Sequence, residues 1–247
     1  MRTLYLSILT LLLFACDQPV PAAQAIVDEA IKRAGGERYE HCEIQFDFRE
    51  NSYKIKRDGG LYEFTRITYL SPDSVLKDVM QSYGFKRLLN DSMISMAESI
   101  AEKYKNSINS VVYFFSLPYG LNDRAVNKEY IGKSTILDKT YYKIKVWFDE
   151  DGGGKDHHDV FFYWIHPDKF TIEYLAYSYA SDGGGLRFRK ALDPRKISGI
   201  RVTDYLNYAP GETPVDLDTI ERAFELGELQ LLSIIDNFNV TISLLED

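Results

Sequence analysis

Cysteine is scarce in this 247-residue chain: there are two, Cys16 and Cys42. No C-x-x-C pair exists, and neither a G-x-S-x-G turn nor an H-E-x-x-H helix can be found, so the usual nucleophile, redox and zinc signatures are missing. Basic runs are missing too. Twenty-nine Lys and Arg are scattered against 37 Asp and Glu for a net charge of −8, which leaves no footprint for nucleic acid. The longest apolar run, from Leu4 to Phe14, falls short of the ~20 residues a membrane-spanning helix needs. No repeat period and no low-complexity linker divides the chain. Ile131-Gly132-Lys133-Ser134-Thr135 has the tail of a phosphate-binding loop, but Asn127 stands where the first glycine is required.

The amino terminus carries an address. Arg2, the apolar run and a small residue before a cysteine form an export signal. Leu13-Phe14-Ala15-Cys16 resembles the bacterial lipobox, which implies cleavage before Cys16 and its lipidation. The expected division is residues 1–15 signal peptide, 16–21 a proline-bearing tether and 22–247 a single folded domain. An ordinary signal peptide cut elsewhere is the alternative. Cys42 would then be the lone thiol, so the core must stabilise the fold without a disulfide, and a small buried hydrophobe is its expected role.

Aromatics are plentiful, with 18 Tyr and 14 Phe. They concentrate between Tyr141 and Arg189, where β-branched and aromatic stretches alternate with turns at 151–154, 166–169 and 182–185, the pattern of an antiparallel meander. Before it, 22–34 has helical spacing and a Gly35-Gly36 stop. Tyr39 to Leu70 reads as three strands. Ser71-Pro72 followed by Val75, Leu76, Val79 and Met80 predicts a second helix ending at Gly84, and a third runs from Asp91 or Ser92 to Phe115. Strands are expected at 129–137 and 199–208, a short helix over 214–226, and a final β segment over 229–245 broken at Asp236-Asn237. Large apolar groups on both faces of the central strands mean that each face must be covered.

Candidate chemistry is sparse. His157, His158, Asp159, His166 and Asp168 cluster in sequence, but His158 and His166 would stand about 26 Å apart on one strand, too far to share a metal. Asp149, Asp151 and Asp156 lack the spacing of a calcium loop. No metal and no cofactor is expected. Arg187 and Arg189 flank Phe188 and so share one strand face, and Arg201 on a neighbouring strand could join them. Together they suit a carboxylate or phosphate headgroup, or form an outward face paired with acids.

The segments VFFYWI (160–165), EYLAYSYASDGGGLRFR (173–189) and DYLNY (204–208) resemble a family of uncharacterised lipoproteins of Bacteroidota, a domain of unknown function. The element order is also similar to the LolA/LolB-like half-barrel, whose sheet curls around helices and holds acyl chains. A (β/α)8 barrel, implied by the deoxyribose-phosphate aldolase name some such proteins carry, cannot be drawn on strands joined by turns. The resemblance implies an α+β fold in which a strongly curved antiparallel sheet, an open half-barrel, wraps amphipathic helices. It also implies an envelope lipoprotein on the periplasmic face of the outer or inner membrane that binds a lipid or other amphiphile. Arg187 and Arg189 would meet its headgroup, and Tyr174, Tyr177, Tyr179, Tyr205 and Tyr208 would line the mouth or else fill the sheet's own core. The alternatives are a structural envelope lipoprotein and, less favoured, an enzyme with a site assembled from scattered residues.

Overall fold

The computed structural model describes residues 22–151, 157–180 and 183–245. The leader, Cys16 and all of the expected tether lie outside them, as do most of the Asp151–Gly154 turn and Asp182 of the next. The fold is α+β and antiparallel throughout, with its hydrogen-bond ladders gathered in two open seven-stranded sheets.

The first sheet has the order β14-β1-β2-β3-β4-β5-β6. Its strands are β1 (His41–Phe48), β2 (Asn51–Asp58), β3 (Leu61–Ser71), β4 (Ser74–Gln81), β5 (Gly84–Leu89), β6 (Ser92–Ile94) and β14 (Phe238–Leu244). The second has the order β13-β12-β11-β10-β9-β8-β7. It is built from β7 (Val126–Ile136), β8 (Lys139–Phe148), β9 (Val160–Ile165), β10 (Ile172–Tyr179), β11 (Gly185–Ile197), β12 (Ile200–Pro210) and β13 (Leu229–Ile235). Among the described residues three α-helices accompany them: α1 (Ala23–Ala34), α2 (Glu98–Ser116) and α3 (Ile220–Glu225).

The expected helix over 71–84 is instead the β3–β4 hairpin and β4. Ser71 pairs with Ser74, so Pro72 and Asp73 are the two central turn residues. A Ser-Pro step serves a tight turn as readily as a helix start, since proline fixes φ in both. The β5–β6 hairpin turns at Asn90-Asp91, both with positive φ (48° and 64°), and this moves the start of α2 to Glu98. Asn90 braces the neighbouring turn as well, its Oδ1 accepting from Val75 N at 2.8 Å and its Nδ2 donating to Asp73 O at 3.0 Å.

Alternation decides what each face touches. The inner face of the second sheet (Ile144, Val146, Phe161, Tyr163, Ile165, Leu175) packs with Ile26, Val27 and Ala30 of α1. Its outer face (Tyr141, Phe162, Trp164, Tyr174, Phe188) is covered by Ile220 and Ala223 of α3. Lys143 pins that short helix, donating to Glu221 Oε1 at 2.6 Å and Asp218 O at 3.0 Å while lying over the Phe162 and Trp164 rings. The first sheet buries Cys42, Ile44, Phe46, Tyr53, Ile55 and Phe64 against Ile108, Val112 and Phe115 of α2. Phe114 of the same helix packs on the core of the other sheet, so α2 lies between the two.

The break expected at Asp236-Asn237 is where the chain changes sheet. Asn237 donates its backbone N–H (2.9 Å) and Nδ2 (3.0 Å) to Asp204 Oδ1, and Arg195 bonds both Asp204 Oδ2 at 2.5 Å and the Asn237 carbonyl. Beyond this knot β14 pairs with β1, nearly the whole chain away in sequence.

Candidate ligand cavity

Two rows of directly paired residues face the flanks of α2. In the first sheet the row runs Phe46, Tyr53, Arg66, Asp78, Arg87. Asp78, 1% exposed, accepts from Arg66 Nη2 at 2.6 Å and from Arg87 Nε at 2.5 Å. Arg66 also donates to Ser107 of α2 at 3.1 Å, and the Arg87 guanidinium stacks 3.4 Å from the Tyr104 ring centre. Burial pushes the Asp78 carboxyl up, but hydrogen bonds and charge from the two guanidinium groups more than offset it and leave the pKa below its ordinary value.

The corresponding row in the second sheet runs Ile144, Tyr163, Leu175, Arg189, Asn207, Ser233. It borders a cavity of about 870 Å³ between α2 and strands β10 to β13. Side chains in the second half of this row are small or polar, and so are Asn106, Ser107 and Ser110 where α2 faces them; together they leave the space unfilled. Apolar walls come from Phe48, Val111, Phe114, Phe115, Leu232 and Ile235, with Tyr177 and Tyr205 beside them. Burial pushes the Tyr205 hydroxyl up to about 12, so it stays a neutral hydrogen-bonding group.

Arg187 and Arg189 both line this cavity, as does Tyr177, whose hydroxyl accepts from Arg189 Nη2 at 2.8 Å. Tyr205 lines it too, and the remaining sequence candidates lie elsewhere. Arg201 is at the far end of β12, 4.0 Å from Glu173. Tyr174 and Tyr208 are on the outer face against Phe224 of α3. Tyr179 is outside the lining, 6.0 Å from the Tyr177 ring and 5.0 Å from the Arg187 guanidinium. His158 and Asp159 do not reach the cavity, so they do not converge with Arg187. His166 Nδ1 accepts the backbone N–H of Asp168 at 3.2 Å, a turn interaction. Asp149 takes Asn127 Nδ2 at 2.7 Å, and Asp156 lies outside the described residues. Among the described residues no group of three His, Cys, Asp or Glu is placed to hold a metal, and no helix is long and apolar enough to cross a membrane.

Sequence reading missed Arg49, Lys103 and Asn207 in the lining. A signal was present on α2, where Lys103, Ser107, Ser110 and Phe114 recur at helical spacing beside the core stripe.

A second cavity, about 670 Å³, opens on the other flank of α2. There the Arg57 guanidinium sits between the Phe64 and Tyr119 rings, 5.2 and 4.9 Å from their centres, and burial lowers its pKa. Its charged lining is mixed, with Glu40, Glu102 and Asp123 beside Arg57 and Lys105.

The chain belongs to a family of unknown function, DUF6503, whose profile matches residues 2–237. No curated protein matches it. Its structure is similar to that of a DUF1329 family protein from Desulfovibrio piger, with TM-score 0.48 and 12% identity over 89% of this chain and 92% of that one. It is also similar to a LolA superfamily protein from Nitrosomonas europaea, with TM-score 0.45 and 12% identity over 92% and 95% of the two chains.

Proposed function

We propose that this member of DUF6503 binds or carries a lipid or other amphiphile in the cavity under α2, and that a lipidated Cys16 holds it in the cell envelope. The cavity carries the reading. Its volume of about 870 Å³ lies within the roughly 300–1,000 Å³ of small-molecule sites, and its lining joins apolar walls to a few polar and charged groups, the composition that fixes an amphiphile's two ends. The register shift opposite Asn207 and Tyr208 supports it: Leu232 is an extra residue on β13, and such a bulge bends its strand, here along the cavity wall. Residues 22–247 would act as one folding unit, since α1 and α2 both contribute to the cores of the two sheets.

The test uses the full chain with Cys16→Ala, extracted with organic solvent and analysed by mass spectrometry. Recovery of a stoichiometric amphiphile supports the proposal. Ser110→Trp, which fills the cavity from α2, should abolish that recovery while the circular dichroism spectrum is kept. An empty protein that binds no hydrophobic dye would leave a structural envelope role in its place. Anchoring is tested by fractionation: the Cys16→Ala chain should leave the membrane fraction, and unchanged membrane retention would reject the lipid anchor.

A further inference from the structure

Among the described residues, the charged ones that line the cavity bordered by Arg189 are all basic, in a chain whose net charge is −8. They are also graded in depth. Arg49 and Lys103 are exposed, Arg187 is half-buried, and Arg189 is 8% exposed. Arg189 is therefore the charge at the floor.

Its surroundings leave it incomplete. One Nη donates to Tyr177, the guanidinium lies 3.8 Å from the centre of the Phe114 ring, and Nε, buried, has no partner. Among the described residues no carboxylate pairs with it, and its cross-strand neighbours are Leu175 and Asn207. Asn207 Oδ1, in the same lining, is likewise buried without a partner. Taking a guanidinium out of water costs several kcal/mol unless a counter-charge replaces the lost solvation, and the faces of Phe114 and, at 5.2 Å, Tyr177 return only part of that. Burial lowers the Arg189 pKa, as it does for a buried cation with no counter-ion, yet arginine stays charged. The same fold places Asp78 between Arg66 and Arg87 on the other flank of α2. Here the carboxylate is missing.

Resting on the reading that the cavity holds an amphiphile, we propose that its ligand is an acid and that it enters acid end first. A carboxylate or phosphate oxygen pair accepts Nε–H and one Nη–H of Arg189 at the floor, the fork geometry that arginine offers and an alcohol or ester cannot use. The tail then runs back towards the mouth past Ile235 and Leu232. Leu232 on β13, an edge strand, is 51% exposed and extends the apolar path outside. The reverse orientation would set hydrocarbon against an unpaired cation and leave the head beside Leu232 and Ile235. Arg49 and Lys103 at the rim attract the anion before it enters.

The experiment takes the full chain with Cys16→Ala, delipidated, and titrates it with 11-(dansylamino)undecanoic acid, which carries its bulky tag on the tail. The probe is then displaced with dodecanoic acid, dodecyl phosphate, dodecanol and methyl dodecanoate. The tagged acid should bind, because the tag stays outside, and the two acids should displace it at least about tenfold more tightly than the alcohol and the ester. Whichever acid displaces better identifies the headgroup, carboxylate or phosphate. Arg189→Met should weaken both acids at least about tenfold while binding of the neutral dye N-phenyl-1-naphthylamine changes by less than about twofold, and Arg189→Lys should fall between. Alcohol and ester binding as tightly as the acids, or Arg189→Met leaving acid binding unchanged, overturns the proposal. If the neutral dye also fails to bind the unsubstituted cavity, it is the amphiphile reading itself that has failed.

Discussion

Helix α2 separates two inward-facing rows that use arginine in opposite ways. On one flank Asp78 stands between Arg66 and Arg87, and all three are tied to each other and to α2 through Ser107 and Tyr104. On the other, Arg189 has Leu175 and Asn207 at the equivalent cross-strand positions, so its charge faces a cavity. An inward arginine on a sheet thus ties the fold together when the next strand brings a carboxylate, and borders a cavity when it does not. The two flanks should answer differently to mutation.

The largest effect is expected from Asp78→Ala. It leaves two guanidinium groups, each 14% exposed or less, facing each other without their counter-ion. Breaking a buried ion pair from one side costs about 3–5 kcal/mol, so the urea midpoint should fall by that much divided by the m-value. A loss under about 1 kcal/mol would show that α2 is docked by apolar contacts alone.

Acid should reproduce part of that loss. The Asp78 carboxyl has a depressed pKa in the folded chain, so its stabilisation is fully present above the unfolded value of about 3.9 and disappears as pH falls through the folded one. Urea midpoints taken from pH 5 downwards should therefore drop more steeply in the unsubstituted protein than in Asp78→Asn. Parallel curves would assign the acid sensitivity to other carboxylates.

Much of this comparison was legible in the sequence. Strand alternation puts Arg187 and Arg189 on one face, and the apolar content of both faces of 160–165 requires the two covers that α1 and α3 provide. The same alternation separates Tyr174 from Tyr177 and Tyr205 from Tyr208, because an odd spacing places two residues on opposite faces. The arrangement around Asp78 was hidden. Val75, Leu76, Val79 and Met80 fit a helix as well as a strand, and only pairing with β3 and β5 makes Asp78 an inward residue. The break at Asp236-Asn237 was visible as a break, but the transfer to β1 depends on a partner some 190 residues away and has no local signature. The cavity was invisible for a related reason: it is made by small side chains on α2 and β13 that meet only in the fold.

A smaller effect is expected at the junction that joins the flanks. Asn237→Ala removes the amide bonds to Asp204 and Thr203 but keeps the backbone N–H to Asp204. Leaving one buried carboxylate oxygen short of a donor costs about 1–3 kcal/mol. If the two sheets unfold together, tyrosine fluorescence and far-ultraviolet circular dichroism should report one coincident transition, shifted by that amount. Two separated transitions would mean that Asn237 is what makes them cooperative.

The smallest effect on stability, and the sharpest contrast with Asp78, is expected for Arg189→Met in the delipidated protein. Methionine retains most of the length and the apolar stem of arginine, so the contact with Phe114 is largely kept and no large void opens. What is lost is one bond from Nη2 to the Tyr177 hydroxyl, a group that faces the cavity and can turn to water there. Such a bond is worth about 0.5–1.5 kcal/mol net. What is gained is relief of a buried charge with no carboxylate beside it, and replacing buried charges by apolar groups of similar volume is often neutral or stabilising by about 1–4 kcal/mol. The two nearly offset each other, so the urea midpoint should move by less than about 1 kcal/mol equivalent, or rise. A loss near the size seen for Asp78→Ala would make Arg189 part of the fold's framework and erase the difference between the two flanks of α2.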